Sequence, residues 1–253
     1  MNILCTICAR KGSKGIKNKN LIKINKKHLI FYSIDQARKV KEINDIIIST
    51  DLNLPKSELK KRKLKVFFKR KSSLSNHTSG KVPVIRDALN KAEKIFKKKY
   101  DIIIDLDITS PLRNVQDIIT AIKKFKKNKS NNLISICKSR KNPYFNMIEL
   151  NRNIPILSKK TKKNILRRQD APKVYDVNAS IYIWKKEYLM RTNKIFSNKT
   201  TFYEMPFNRS IDIDSFHDLE LVKYFMKWNT RNIDIDNIYD LKPSKYFTKY
   251  EKK

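Results

Sequence analysis

Short apolar runs alternate with helical periodicities through the first half of the chain. Runs at residues 3–9, 45–50, 64–68, 101–106 and 133–137 have the length and composition of buried strands. Between them, residues 29–40, 82–96 and 115–125 repeat apolar positions at helical spacing. This alternation predicts an α/β fold in which helices cover both faces of a mostly parallel sheet.

The pattern becomes irregular over residues 139–179, which contain Pro143, Pro155 and Pro172. A stretch of this length without clear elements predicts an excursion from the sheet that serves as a dimer contact or a lid. Apolar patterning then returns as strands at 180–184 and 210–214 and a helix at 218–225. We therefore expect a single domain over residues 1–230, followed by a peripheral tail over residues 231–253.

The composition excludes several classes of protein. The 253 residues are 40% hydrophobic, which predicts a folded chain. A net charge of +34 would indicate nucleic acid, but the lysines are spread along the whole chain, so we expect no specific nucleic-acid partner. The three cysteines, Cys5, Cys8 and Cys137, are few and odd in number, which is typical of a protein in a reducing compartment. Cys5 and Cys8 lie within an apolar strand, which indicates small buried side chains. With neither a signal peptide nor an apolar run of membrane length, we expect a cytoplasmic protein without a membrane partner.

Glycine is rare, and two of the 3 glycines follow the first predicted strand. Gly12 and Gly15 lie in a basic loop over residues 10–20, where backbone N–H groups and cations can converge on phosphate. The spacing matches neither the dinucleotide fingerprint nor the Walker loop. A solvated turn in a lysine-rich chain is the alternative interpretation of this segment.

Three segments leave the carboxyl ends of predicted strands: residues 10–20, residues 70–81 and the loop after Asp107. In open α/β sheets ligands bind beyond these ends, so we expect the three segments to share one cleft. Asp212 and Asp214 alternate with isoleucines, so on a strand both carboxylates would face one side and could hold Mg²⁺. Solvated acids at a strand end are the alternative. The pair Asp105 and Asp107 has the same spacing at the cleft, whereas the similar pair at residues 234 and 236 lies in the tail.

Five stretches in order, residues 9–20, 46–51, 104–113, 168–183 and 210–214, resemble the acylneuraminate cytidylyltransferase family, the CMP-sialic acid synthetases. The resemblance implies a three-layer sandwich of the nucleotide-diphospho-sugar-transferase type with a protruding dimerisation segment. It implies that CTP and a nonulosonic acid sugar are the substrates, that Mg²⁺ is the cofactor and that pyrophosphate is released. It also implies a homodimer in which the irregular segment contributes to the neighbouring active site.

The same resemblance implies roles for individual residues. Because one Mg²⁺ cancels only half of the triphosphate charge, we expect Arg10 and Lys19 to stabilise charge on the leaving pyrophosphate. Our hypothesis for the general base is metal-assisted deprotonation of the sugar hydroxyl with help from Asp214. Asp212 and Asp214 would hold the metal. The nucleotide would be bound by Ala9, Arg10, Gly12, Ser13, Lys19, Asn20, Ser79 and Lys81, and the sugar by Asp107, Arg168, Gln169 and Asn178.

Two departures from the family pattern bear on the sugar. Asp107 stands where the family usually has Gln, and Phe145 stands where many sialate-specific members have Lys. The variant therefore resembles members that act on legionaminic-type acids more than those that act on sialic acid. A cytidylyltransferase for the eight-carbon sugar Kdo, a glycosyltransferase with an Asp-x-Asp metal pair and a non-catalytic basic binding protein are the alternatives.

Overall fold

The computed structural model describes residues 1–12, 15–16, 18–76, 78–161 and 165–229, without the side chains of residues 228 and 229. Its strands are β1 (Ile3–Ala9), β2 (Lys23–Ile24), β3 (Lys27–His28), β4 (Asp45–Thr50), β5 (Ile102–Leu106), β6 (Asn132–Lys138), β7 (Ile148–Asn151), β8 (Ile154–Leu157), β9 (Tyr175–Lys185) and β10 (Thr200–Glu204). Its α-helices are α1 (Leu29–Arg38), α2 (Lys56–Lys61), α3 (Lys81–Phe96), α4 (Val115–Asn128), α5 (Lys186–Arg191) and α6 (Phe216–Asn229). The tail over residues 231–253 and Ser13 lie outside the described residues.

The central sheet has six strands in the order β10-β6-β9-β5-β1-β4. Parallel pairs join β1 to β4, β1 to β5 and β10 to β6, whereas β9 pairs antiparallel with both β5 and β6. Five strands therefore run in one direction and only β9 runs against them. The predicted mostly parallel sheet is confirmed.

Helices cover both faces of this sheet, because strand side chains alternate between two apolar cores. Ile102 and Ile104 of β5 belong to the core that also contains residues of α1, α4 and α6. Ile103 belongs to the opposite core, which contains Leu89 of α3 and Leu189 of α5. The result is the three-layer α/β arrangement that the sequence predicted.

The start of α4 ties the last part of the chain to the sheet. Asn114 and Asp117 form a reciprocal capping box at this helix start. The buried Asp117 carboxylate also accepts hydrogen bonds from Tyr203 Oη at 2.9 Å and from Arg209 Nε at 3.1 Å. These bonds fix β10 and the turn that precedes residues 210–214.

Two predicted strands are wrong. Residues 64–68 are apolar apart from Lys65, as a buried strand would be, yet this stretch forms no strand, and the ladder contact beside it is a single bridge between Thr50 and Lys69. Residues 210–214 form no strand, and the Ile213 N–H donates instead to the loop carbonyl of Thr109 at 2.9 Å. Ile211 and Ile213 belong to the core that contains residues of α1, α4 and α6, and Leu64 and Val66 pack against the same core. Apolar side chains are therefore buried in both segments without a neighbouring strand.

Other elements were not predicted. The edge strand β10 has a polar sequence, and the hairpin formed by β7 and β8 lies within the irregular segment over residues 139–179. Both hairpin strands are exposed along their whole length.

Candidate active site

The carboxyl ends of the adjacent parallel strands β4, β1 and β5 open into one cleft of about 450 Å³. The loops that follow β1 and β5 line it, together with the segment that leads into α3 and the segment around residue 212. The lining residues are Cys8, Arg10, Gly15, Lys19, Asn20, Arg70, Leu74, Asn76, Ser79, Gly80, Lys81, Val84, Asp107, Thr109, Asp212 and Asp214.

The loop after β1 presents its cations to the cleft. The Arg10 guanidinium donates to the Asn76 carbonyl at 2.8 Å, and the buried Asn20 amide donates to the Arg10 carbonyl at 3.0 Å. Lys19 Nζ lies 2.6 Å from Asp214 Oδ1 although the two residues are 195 positions apart. The basic loop and the late aspartate pair therefore share one site.

Glycine is required where this loop meets the late segment. A Cβ on Gly15 would lie 2.1 Å from the carbonyl oxygen of Asp214, a distance that no side chain tolerates. Gly12 has a φ of +85°, a left-handed conformation that glycine adopts most easily. The retained glycines thus serve a close backbone approach at one position and a turn at the other.

Asp212 and Asp214 differ in environment. Asp212 Oδ1 is buried and has no hydrogen-bond partner among the described residues. Burial raises the pKa of Asp212 to about 6, and the neighbouring Asp107 carboxylate adds to this effect. The Asp214 side chain is 75% exposed and pairs with Lys19. An orphaned carboxylate oxygen beside a second carboxylate fits a hard divalent cation such as Mg²⁺.

A buried arginine holds the loop after β5 in place. Arg113 Nη1 donates to the Ser180 carbonyl at 2.6 Å, while Nη2 donates to Ser33 Oγ at 2.8 Å and to Gln36 Oε1 at 3.0 Å. Both nitrogens also contact the Asp107 carbonyl at 3.3 Å. Burial lowers the pKa of Arg113 to about 10. These bonds therefore fix the backbone of Asp107, whose side chain lines the cleft.

Arg70 also lines the cleft, and sequence reasoning missed it as an individual residue. It is buried, its Nε donates to Ser49 Oγ at 3.1 Å, and its Nη2 donates to the Ser49 carbonyl. The segment over residues 70–81 was predicted to reach the cleft, but in a chain with 58 lysines and arginines nothing distinguished this one. A buried guanidinium at the cleft is a binding candidate for an anionic ligand.

Most of the residues predicted to bind the nucleotide line the cleft, whereas most of those predicted to bind the sugar lie outside it. Among the described residues, Asp107 lines the cleft but Arg168, Gln169 and Asn178 do not. Arg168 is exposed and donates to the carbonyls of Ser139 and Arg140 at 3.3 and 2.8 Å. Asn178 is buried, with its amide oxygen bonded to Ser135 Oγ at 2.6 Å and its nitrogen to Ser210 Oγ at 2.9 Å.

No group of three or more His, Cys, Asp or Glu side chains in the described part of the chain is arranged to hold a metal ion. Asp212 and Asp214 would therefore need additional oxygen ligands from a bound substrate or from water. Among the helices of the described residues, none combines the length and apolar character that a membrane span requires.

A family model described as Cytidylyltransferase matches residues 4–253. The chain belongs to this family. This cytidylyltransferase is 46% identical over 224 residues to a CMP-N,N'-diacetyllegionaminic acid synthase of Campylobacter jejuni. The alignment covers 88% of this chain and 94% of the relative. The chain is 45% identical over 229 residues to post-translational flagellin modification protein B of Campylobacter coli, covering 89% and 95%.

The fold of this cytidylyltransferase is shared with a solved CMP:2-keto-3-deoxy-manno-octonic acid synthetase complexed with CTP. The two superpose with a TM-score of 0.65 over 90% of this chain and 100% of the other, at 16% identity. The nucleotide-diphospho-sugar-transferase type of fold expected from the sequence is therefore confirmed. The chain is a nucleotidyltransferase.

Proposed function

We propose that the protein activates a nonulosonic acid of the legionaminic type with CTP, forming the CMP-sugar and pyrophosphate for surface glycan biosynthesis. One observation carries the proposal: Lys19 of the basic loop lies 2.6 Å from Asp214 within a cleft that also contains Arg10 and Asp212. Cations for phosphates and carboxylates for a metal thus face the same space. The name of the Campylobacter jejuni relative supplies the substrate class.

The reaction is a nucleotidyl transfer. The anomeric hydroxyl oxygen of the sugar forms a bond to the α-phosphorus of CTP, and the bond from that phosphorus to the bridging oxygen of the β-phosphate breaks. The bond's electron pair leaves with pyrophosphate, and the hydroxyl proton passes to Asp214 or to water. Because such transfers depend on positioning and charge neutralisation, Arg10 and Lys19 stabilise the charge that builds on the leaving group.

Asp212 and Asp214 would hold Mg²⁺, with the remaining ligands supplied by the triphosphate and water. The bound ion would neutralise phosphate charge and polarise a phosphate oxygen. Lys19 Nζ donates to Asp214 Oδ1 at 2.6 Å. We propose that its ammonium moves to the triphosphate when the nucleotide binds, which frees the Asp214 carboxylate.

The nucleotide would extend from the loop after β1 towards the start of α3. Backbone at Ala9, Gly12 and Ser13 and the Asn20 amide would surround the phosphates, and Ser79 and Lys81 would lie near the cytidine. The buried Arg70 adds a fixed positive charge along this path. Asp107 would face the sugar at the inner end of the cleft.

We further propose a homodimer in which residues 139–179 reach the neighbouring cleft. The β7–β8 hairpin exposes aliphatic side chains, and it lies beside an apolar groove of about 660 Å³ that contains Tyr175, Val177 and Phe202. Arg168 and Gln169 lie outside their own cleft, so we assign them to the sugar in the partner's cleft.

The three unpaired cysteines suit a reducing compartment, so we place the enzyme in the cytoplasm.

The test is pyrophosphate release from CTP and Mg²⁺ with legionaminic, sialic, pseudaminic and Kdo acids offered separately. We expect the highest kcat/KM with a diacetylated legionaminic acid. Asp212→Asn should lower kcat/KM by about a hundredfold or more, because it removes charge from the metal pair at nearly unchanged volume. Release with Kdo alone would assign the chain to the Kdo activity, and retention on nucleic acid without CTP turnover would contradict an enzymatic role.

A further inference from the structure

The segment that carries Asp212 and Asp214 forms no strand, so no ladder of backbone hydrogen bonds sets its conformation. In a strand, such a ladder keeps alternate side chains on one face. Here the Ile213 N–H donates to the Thr109 carbonyl at 2.9 Å, and the Ile213 side chain is buried in the core. These contacts fix the residue between the two aspartates, and a different contact must hold the backbone of Asp214.

The Asp218 carboxylate makes that contact. Its Oδ2 accepts hydrogen bonds from the Asp214 N–H at 3.1 Å, from the Ser215 N–H at 2.7 Å and from Ser215 Oγ at 2.7 Å. Burial raises the pKa of Asp218, but these donors outweigh it and hold the pKa below its usual value. The acceptor is therefore an ionised carboxylate at neutral pH.

Part of this arrangement belongs to the start of α6. The Asp218 N–H donates to Ser215 Oγ at 3.3 Å while the Asp218 carboxylate accepts from the Ser215 N–H, as the two residues of a capping box do. A capping box requires no bond to the residue before its N-cap. The additional bond to the Asp214 N–H therefore acts on a residue of the cleft and not on the helix.

Asp214 is constrained at both of its backbone groups. Its N–H is held by Asp218, and its carbonyl oxygen lies so close to Gly15 that a Cβ there would come within 2.1 Å of it. The Asp214 side chain, in contrast, is 75% exposed and has Lys19 as its ion-pair partner. An exposed carboxylate keeps one position only if its backbone is fixed, and functional groups need positions accurate to about 0.5 Å.

We propose that Asp218 is a positioning residue for the nucleotidyl transfer. Its bond to the Asp214 N–H keeps the Asp214 carboxylate on the same side as Asp212 and within reach of Lys19. The inference rests on the metal-binding role of Asp212 and Asp214 in the proposed function. Because Asp218 Oδ2 is bonded to N–H groups and a hydroxyl of the protein, Asp218 acts through Asp214 and not on the substrate.

The first test measures the affinity for Mn²⁺ of the protein saturated with a non-hydrolysable CTP analogue, by water proton relaxation. Asp218→Ala should raise the Kd for Mn²⁺ by about tenfold or more, as the loss of a residue that orients a metal ligand does. Asp218→Asn keeps an oxygen acceptor of the same reach, so its Kd should stay within about threefold of the wild type. Wild-type affinity in folded Asp218→Ala, or equal losses in the two variants, would overturn the proposal.

Glu93→Gln is the control for a general loss of stability. Glu93 accepts hydrogen bonds from Lys99 Nζ and from the Tyr100 N–H, at the end of α3 that lies away from the cleft. Its substitution should destabilise the fold and leave the Kd for Mn²⁺ unchanged. If Glu93→Gln weakened Mn²⁺ binding as much as Asp218→Ala does, the effect would be one of stability, and the positioning role would be refuted.

The second test uses the wild-type protein, so it does not depend on the folding of a variant. In amide hydrogen exchange followed by NMR, the Asp214 N–H should exchange at least about tenfold more slowly than an unprotected amide. An unprotected Asp214 amide would overturn the proposal. Absence of Mn²⁺ binding in the wild type would instead count against the metal pair of the proposed function, so the two failures are distinguishable.

Discussion

Single residues at this site are constrained by their closest neighbours. Gly15 belongs to the basic loop, yet what forbids a side chain there is the Asp214 carbonyl, which comes from the far end of the domain. A pattern along the sequence indicates that glycine is needed. Only the folded chain shows which contact needs it.

Gly15→Ala should therefore impair catalysis more than folding. The added Cβ would force the loop and the Asp214 backbone apart, which displaces Lys19 from the metal pair, so we expect kcat/KM for CTP to fall by about tenfold or more. The change in Tm should be smaller than that of a core substitution, because Gly15 and Asp214 are both exposed.

Gly80→Ala is the matched control for this prediction. Its Cβ would meet only the Pro83 ring, at an ordinary 3.7 Å, so the loss should be much smaller. Equal losses in steady-state kinetics for the two variants would show that the approach of Gly15 to Asp214 is unimportant.

At the scale of elements, residues at the ends of helices and strands hold the layers in register. Glu93 of α3 accepts hydrogen bonds from Lys186 at the start of α5, from Lys99 Nζ at 3.0 Å and from the Tyr100 N–H at 3.2 Å. Burial raises the pKa of Glu93, but these donors outweigh it, and the net pKa lies below the usual 4.5. One carboxylate therefore joins α3, α5 and the entry to β5.

This cluster predicts a loss of stability in acid. Because the folded pKa of Glu93 is depressed, its contribution is complete above about pH 4.5 and is lost as the pH falls through the folded value. Glu93→Gln should lower the free energy of unfolding by about 1–2 kcal/mol at pH 7 and flatten the dependence of that free energy on pH below about 4.5. Urea unfolding at several pH values measures both effects.

The exposed Glu187 of α5 provides the matched change of charge. Glu187→Gln should leave the stability within about 0.5 kcal/mol of the wild type at every pH. A Glu93→Gln protein that kept the full acid sensitivity of the wild type would contradict the assignment.

The sequence predicted the helices that repeat apolar positions on one side and the strands that are continuous apolar runs buried on both faces. The helices α1, α3 and α4 and the strands β1, β4, β5 and β6 were recognised because apolar positions repeat along each of them. Residues 64–68 and 210–214 also place apolar side chains against the core that contains residues of α1, α4 and α6 but form no strand, because no neighbouring strand pairs with them. The strand β10 (Thr200–Glu204) is polar because it lies at the edge of the sheet.

The site was predictable where a motif is local and not where distant residues meet. The basic loop and the aspartate pair could be recognised from their own residues, but the contact of Lys19 with Asp214 spans 195 positions. Lys81 was assigned to the nucleotide, and its pairing with Asp105 and Asp107 depends on how α3 packs beside β5. Arg70 was missed because burial, which distinguishes it from the other cations, is a property of the fold.

At the scale of the whole molecule, the hairpin formed by β7 and β8 predicts self-association. Ile148 pairs with Leu157, and Leu150 with Pro155, so these exposed apolar side chains share one face. Leu150→Lys places a charge on that face and should convert a homodimer into monomers in light scattering, whereas Asn151→Lys adds the same charge to the opposite face and should leave the dimer intact. If the neighbouring cleft needs Arg168, the monomeric variant should also lose sugar turnover. A wild-type monomer, or a Leu150→Lys dimer, would refute this interface.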